Sequence, residues 1–283
     1  MGFFEEFYCK EDAQSINENR LRPMYEKWSE IINLTLEKAS GNEYENMTSP
    51  SLLTCSDSYM KQDKKIMLIG KEAHHDNGSL GDVFLKNTYL TDKYYKYEYE
   101  ISRGIAKETF FLRTRRLLSG ITDYKHKSYP DANEAFAVTS LLVNNLNKTS
   151  DCGKRTVCSD DLRFVYEPFE ADGWERKANV FIHELNILKP DILVMLTGRD
   201  YEKHIKRAFG EEFYEHLVSK NMFNISIKEK PISEIIEIDR EKVKEWYGIE
   251  NYSFKVIYGF HPSARMSREL RNKYEVALWE AIR

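Results

Sequence analysis

Ile66-Met67-Leu68-Ile69-Gly70-Lys71-Glu72-Ala73-His74-His75 is the stretch from which the rest of the chain can be read. Four apolar residues in succession, two of them β-branched, describe a strand buried on both faces. The run stops at Gly70, the residue type that lets a backbone turn sharply or come close to a ligand. A lysine, a carboxylate and two imidazoles follow immediately. A covered strand ending in titratable groups is the pattern of an α/β protein whose site lies beyond the strand's carboxyl end.

Three further apolar runs repeat that arrangement. Residues 135–143 lead into Asn144-Asn145-Leu146-Asn147-Lys148-Thr149, residues 192–196 into Thr197-Gly198-Arg199, and residues 254–258 into Gly259-Phe260-His261-Pro262-Ser263. Helical patterns precede, separate and follow them. Leu21, Met24, Trp28, Ile31, Ile32, Leu34 and Leu36 predict a helix over 14–40, and residues 100–119 predict another. Trp174, Ala178, Phe181, Ile182, Leu185 and Leu188 form one apolar stripe that stops before Pro190. Tyr201, Ile205, Ala208 and Phe209 mark a helix after the third strand, and Leu270, Tyr274, Ala277, Leu278 and Ala281 mark a closing one. Residues 42–64 are polar and loop-like, and 150–172 form a long charged loop holding Cys152 and Cys158. Residues 224–227 and 235–238 pair as a short hairpin around Pro231 in this reading. Alternating strands and helices predict a three-layer α/β/α fold around a four-stranded parallel sheet. Residues 1–64 are read as an N-terminal helical extension packed on one α/β domain, 65–283.

A length of 283 residues allows a sizeable core, and 41% hydrophobic with 31% charged residues describes a globular protein with a well-charged surface. No apolar run approaches the roughly 18 residues of a membrane span, so no membrane partner is expected. The acidic start Met1-Gly2-Phe3-Phe4-Glu5-Glu6 lacks a signal-peptide layout. Cys9, Cys55, Cys152 and Cys158 are scattered with no Cys-x-x-Cys pair, which points to a reducing cytoplasm and away from a disulfide scaffold. A formal charge of −4 argues against a dedicated nucleic-acid binder, but the charge is unevenly spread. Arg103, Lys107, Arg113, Arg115, Arg116, Lys125 and Lys127 form one basic region; Arg265, Arg268, Arg271 and Lys273 form another. Each also reads as a solvated helix face. Five tyrosines between Tyr89 and Tyr99 read as aromatic core contacts of an amphipathic helix, or as a rim for stacking bases.

Together the strand ends resemble the uracil-DNA glycosylase superfamily. Gly70-Lys71-Glu72-Ala73-His74-His75 stands where the best-known branch has Gly-Gln-Asp-Pro-Tyr-His. Leu141-Leu142-Val143-Asn144 is similar to the middle strand that ends in a base-reading asparagine, and His261-Pro262-Ser263 matches the last motif letter for letter. Leu188-Lys189-Pro190-Asp191 and Gly198 resemble the third strand's surroundings. The resemblance covers roughly residues 65–283 in order and spacing. It implies a DNA-repair hydrolase for base excision, acting on a flipped or single-stranded base in DNA with no cofactor and no metal. It assigns catalysis to Glu72 and His261, base contacts to Lys71, His74 and Asn144, and backbone contacts to Ser263, Arg265, Arg268 and Lys148. The chain departs from the family pattern at Lys71, Glu72, Ala73 and His74, where His74 replaces the tyrosine that blocks thymine, and at Arg265-Met266.

Two other classes fit parts of the pattern. A non-catalytic nucleic-acid or nucleotide binder could keep the fold without the chemistry. A metal-dependent hydrolase could use Glu72, His74, His75, Asp76 and His261, although adjacent histidines ligate one ion poorly. Gly-x-Ser-x-Gly is absent, and Gly153-Lys154-Arg155-Thr156 lacks the upstream glycine of a phosphate loop.

Overall fold

The computed structural model of the chain describes residues 12–38, 52–53, 55, 57–60, 62–72, 142–147, 166–171, 173–197, 201–226, 228–260 and 266–282. The N-terminal helical stretch comprises α1 (Ala13–Ile16), a π-helical turn (Asn17–Leu21) and α2 (Arg22–Lys38). A one-turn helix, α3 (Asp57–Met60), precedes β1 (Ile66–Glu72) and β2 (Leu142–Asn147). Next come β3 (Phe169–Ala171), β4 (Trp174–Ala178), α4 (Val180–Leu188), β5 (Ile192–Met195), α5 (Glu202–Phe209) and α6 (Glu211–Ser219). The chain continues through β6 (Ile236–Ile238), α7 (Arg240–Tyr247), β7 (Phe254–Tyr258) and α8 (Arg268–Ile282).

The main sheet has the order β2-β1-β5-β7-β6. The first four strands run parallel, and β6 pairs antiparallel with β7 through Ile236↔Val256, Glu237↔Lys255 and Ile238↔Phe254. The predicted four-stranded parallel sheet is therefore extended by a fifth, antiparallel edge strand. The proposed hairpin around Pro231 is corrected with it: Ile236 and Ile238 take β7 as partner, and residues 224–226 are not a strand. A three-residue apolar-polar-apolar pattern shows which residues share a face, but it does not name the strand they pair with.

Sheet residues divide between two apolar clusters, as expected of strands covered on both sides. Met67, Ile69, Leu193, Met195, Val256 and Tyr258 join α2 and α4–α7 in the larger cluster. Leu68, Ile192, Val194, Leu196 and Ile257 join Tyr274, Leu278 and Ile282 of α8 in the smaller one. Helices thus lie on both faces, in an α/β arrangement. Asp191 locks two strand starts together: its carboxylate accepts from Lys65 N at 2.7 Å, and its own N–H donates to Lys65 O at 2.7 Å.

Three further boundaries differ from expectation. The second strand runs on to Asn147, so Asn144 stands within it and not at its end. Trp174 and Ala178 belong to β4, which pairs antiparallel with β3 inside the region read as loop and helix. The helix proper starts at Val180, because Asn179 caps it by accepting from Phe181 N and Ile182 N at 3.0 and 3.2 Å. Within the polar stretch 42–64, Leu52, Leu53, Cys55 and Tyr59 are buried. The N-terminal helices share the larger core: Tyr25 donates to the buried Glu184 at 2.6 Å and accepts from Leu53 N at 2.9 Å. The tyrosine cluster at 89–99, the helix at 100–119 and the basic region at 103–127 lie outside the described residues. Among the described residues, no helix is long and apolar enough to cross a membrane.

Candidate functional site at the carboxyl edge

The order of the parallel strands identifies the edge that matters. From β1 the chain moves outward to β2 on one side, and from β5 outward to β7 on the other. The direction reverses between β1 and β5, and in open α/β sheets ligands bind beyond the carboxyl ends at such a switch point. The ends meeting there are Gly70-Lys71-Glu72 and Leu196-Thr197.

Hydrogen bonds align these ends. Ile69, Met195 and Tyr258 share a row through the pairings Ile69↔Met195 and Met195↔Tyr258, and Asn144 stands opposite Ile69. One residue further out, Leu196 N donates to Ile69 O at 2.7 Å and Gly259 N donates to Met195 O at 2.9 Å. Beyond that, Glu72 pairs with Asn147. Adjacent strands are about 4.8 Å apart and each residue advances about 3.3 Å. Asn144 therefore lies about 10 Å inboard of the edge at which Glu72 and Asn147 stand. Asn147 is a position that sequence reasoning left out. Its only signal was the run Asn144-Asn145-Leu146-Asn147, in which nothing short of the register singles out one asparagine. Thr197, buried at the tip of β5 at the switch point, is a second.

The exit from β7 is held from two sides. Ser233 Oγ accepts from Tyr258 N at 2.8 Å, Ser233 N donates to Tyr258 O at 3.0 Å, and Ile232 bridges Gly259. From the other face the Tyr274 hydroxyl of α8 donates to Phe260 O at 2.6 Å. This hydroxyl fits because position 259 is glycine: a Cβ there would sit 2.6 Å from Tyr274 Oη and 3.1 Å from Leu196 Cδ2. His261-Pro262-Ser263 follow Phe260 directly in the sequence.

The described residues include the backbone positions of Lys71, Glu72 and Asn144, and that of Arg268 at the start of α8. His74, Lys148, His261, Ser263 and Arg265 lie outside them, as do His75 and Asp76 of the metal-binding alternative. Among the described residues no group of three His, Cys, Asp or Glu could hold a metal ion.

A cavity of about 350 Å³ opens beside this edge, between the first turn of α5, helix α6 and the turn at 221–224. It adjoins the end of β7, because Phe223 on its wall meets the Tyr258 ring edge-on at 4.9 Å. Glu202 and Tyr214 supply polar groups to its lining, and Lys206 bridges Glu202 and Glu211 at 3.1 and 2.7 Å. The Lys206 hydrogen bond holds the Glu202 carboxyl below the usual carboxylate range, assisted by one from Tyr214. The same two carboxylates, Glu211 foremost, push the Lys206 ammonium up to about 12.

No family model, no curated protein and no solved structure matches the chain.

Proposed function

We propose that the chain is a uracil-DNA glycosylase-like hydrolase that cleaves the N-glycosidic bond of a flipped or single-stranded base in DNA. The observation that supports this reading is the aligned carboxyl edge. Ile69 and Tyr258 share one row of the sheet. Glu72 follows Ile69, and His261 follows Tyr258, by the same three residues of chain. Strands β1 and β7, which lead to the two groups assigned to catalysis, thus share one carboxyl edge, two positions apart in the sheet.

Breaking the glycosidic bond leaves a negatively charged base. In this mechanism His261 donates a hydrogen bond to the oxygen on which that charge collects, and one preorganised donor of this kind is worth about 3 kcal/mol of barrier. Glu72 orients the attacking water or stabilises the cationic sugar. Asn144, with a donor and an acceptor on one amide, reads the base edge together with Lys71 and His74. Ser263, Arg265, Arg268 and Lys148 hold phosphates, which position the strand without reading sequence. A base inside a duplex is out of reach, so the target is extruded or unpaired.

The test incubates the full chain with single- and double-stranded oligonucleotides carrying uracil, hypoxanthine or mismatches. Alkali-labile abasic sites are the expected product, and His261→Ala should lower their yield by about two orders of magnitude or more. Nucleic acid bound without any abasic product would favour a binder that lacks the chemistry. Activity lost to chelators, with metal retained on purification, would favour the metal hydrolase.

A further inference from the structure

The cavity beside the carboxyl edge has no part in the reaction proposed above. Its volume of about 350 Å³ falls within the roughly 300–1,000 Å³ of small-molecule sites. Ile205, Val218 and Phe223 give it apolar wall, and Glu202, Asn221 and Asn224 give it polar groups. Tyr214 lies between the two. Its ring stacks on Phe223 at 5.5 Å with an interplanar angle of 21°, its hydroxyl bonds Glu202, and the Lys206 ammonium sits 4.7 Å from its centroid.

Charge narrows the ligand class. The Lys206 ammonium is taken up by the carboxylates of Glu202 and Glu211, so it offers little to a phosphate or carboxylate ligand and offsets the Glu202 charge toward a cationic one. An ionised carboxylate has about four acceptor positions. Glu202 uses positions for Lys206 and Tyr214, which leaves acceptors for a ligand that brings N–H groups. Two adjacent donors meet the two oxygens of a carboxylate best, because parallel hydrogen bonds add geometric selectivity to strength. The asparagine amides offer both donors and acceptors to the remainder of such a molecule.

We infer that this cavity binds an uncharged guanine-type heterocycle, whose ring N–H and exocyclic amino group donate to the Glu202 carboxylate while its flat body fills the apolar space between Ile205, Val218 and Phe223. Thymine presents one N–H flanked by two carbonyl oxygens, which a carboxylate repels. Adenine and cytosine present one amino group beside an acceptor nitrogen. The heterocycle can arrive as a free nucleoside or as an unpaired base within a strand, and the site stands independently of any bond cleavage at the sheet edge.

Calorimetric titration of the full chain with guanosine, adenosine, cytidine and thymidine tests the site. Guanosine should bind with a Kd of about 1 mM or tighter, and thymidine at least about tenfold more weakly. Glu202→Gln keeps the shape but removes the charge, and should weaken guanosine by about tenfold. Val218→Trp, at a half-exposed rim position, should fill the cavity and abolish binding, with the melting temperature reporting that the fold is intact. A guanine-bearing single strand that loses affinity in Val218→Trp alongside guanosine identifies a base within a strand as the ligand. A strand that binds parent and variant alike identifies the free heterocycle. The inference is overturned if guanosine does not bind, if thymidine binds equally well, or if neither substitution changes guanosine affinity. Abasic-site formation is read in a separate assay, so failure here leaves the glycosylase reading standing, and failure there leaves this site standing.

Discussion

Gly259 has no room for a side chain. The space a Cβ would take is held by the Tyr274 hydroxyl and a Leu196 methyl. Gly259→Ala therefore forces the end of β7 away from α8, and overpacking of this kind costs about 1–3 kcal/mol. Tyr274→Phe removes the atom nearest the clash together with the hydrogen bond to Phe260 O, a loss of about 1 kcal/mol by itself. The double variant should be more stable than the sum of the two single losses, because removing the Tyr274 hydroxyl relieves part of the strain that the new methyl introduces. Urea unfolding of the parent and the three variants checks this, and strict additivity would show that the contact does not limit the site. The sequence carried half of this relationship. The glycine directly before Phe260-His261-Pro262-Ser263 is visible there, but the neighbour that requires it comes from the final helix, and no local pattern names it. Asn144 and Asn147 show the same limit: the asparagine run is legible, whereas the choice between its members depends on a register set by β1.

Helix α4 carries its start signal in one side chain. Asn179 accepts from two backbone amides at the head of α4, and its amide nitrogen donates to Arg207 O and Ala208 O at 2.9 and 3.0 Å. It therefore ties the beginning of α4 to the end of α5. Asn179→Ala should cost about 0.5–2 kcal/mol from the cap, toward the upper end because the link to α5 goes with it. Faster hydrogen exchange at Phe181 and Ile182, ahead of the rest of α4, is the accompanying sign. An asparagine before an apolar run is also a recognised start signal. The apolar stripe ran past it to Trp174 because a strand and a helix joined end to end can both face one core.

Helix α6 supplies a pH dependence. Burial holds the His216 imidazole below its ordinary 6.5, the Lys242 and Lys220 cations lower it further, and Asp239 opposes them. The unfolded chain then takes up this proton more readily than the folded one, so the stabilisation is full above about pH 6.5 and is lost as the pH falls below it. His216→Gln should reduce the drop in urea midpoint between about pH 8 and about pH 5 relative to the parent. An unchanged drop would place the acid sensitivity elsewhere.

At the scale of the whole molecule, four strands with apolar bodies and polar carboxyl ends predicted an α/β fold, and the sheet has that character because burial on both faces leaves so clear a mark on composition. The fifth strand left no such mark: three residues at an edge need only one covered face, and Ile236 and Ile238 supply it. The strand order adds a consequence for how the chain comes into being. β1 has neighbours on both sides, and they are distant in sequence: Met67 pairs with Leu142 and with Leu193. Tyr25 likewise waits for Glu184. During synthesis at roughly 5–20 residues per second, the first third of the protein emerges from the ribosome many seconds before its partners exist. A nascent chain stalled before β5 should be cleaved by protease throughout, including at α2, while one released after α8 should resist. The longer the growing chain goes unpaired, the more its early hydrophobic segments depend on chaperones for shelter.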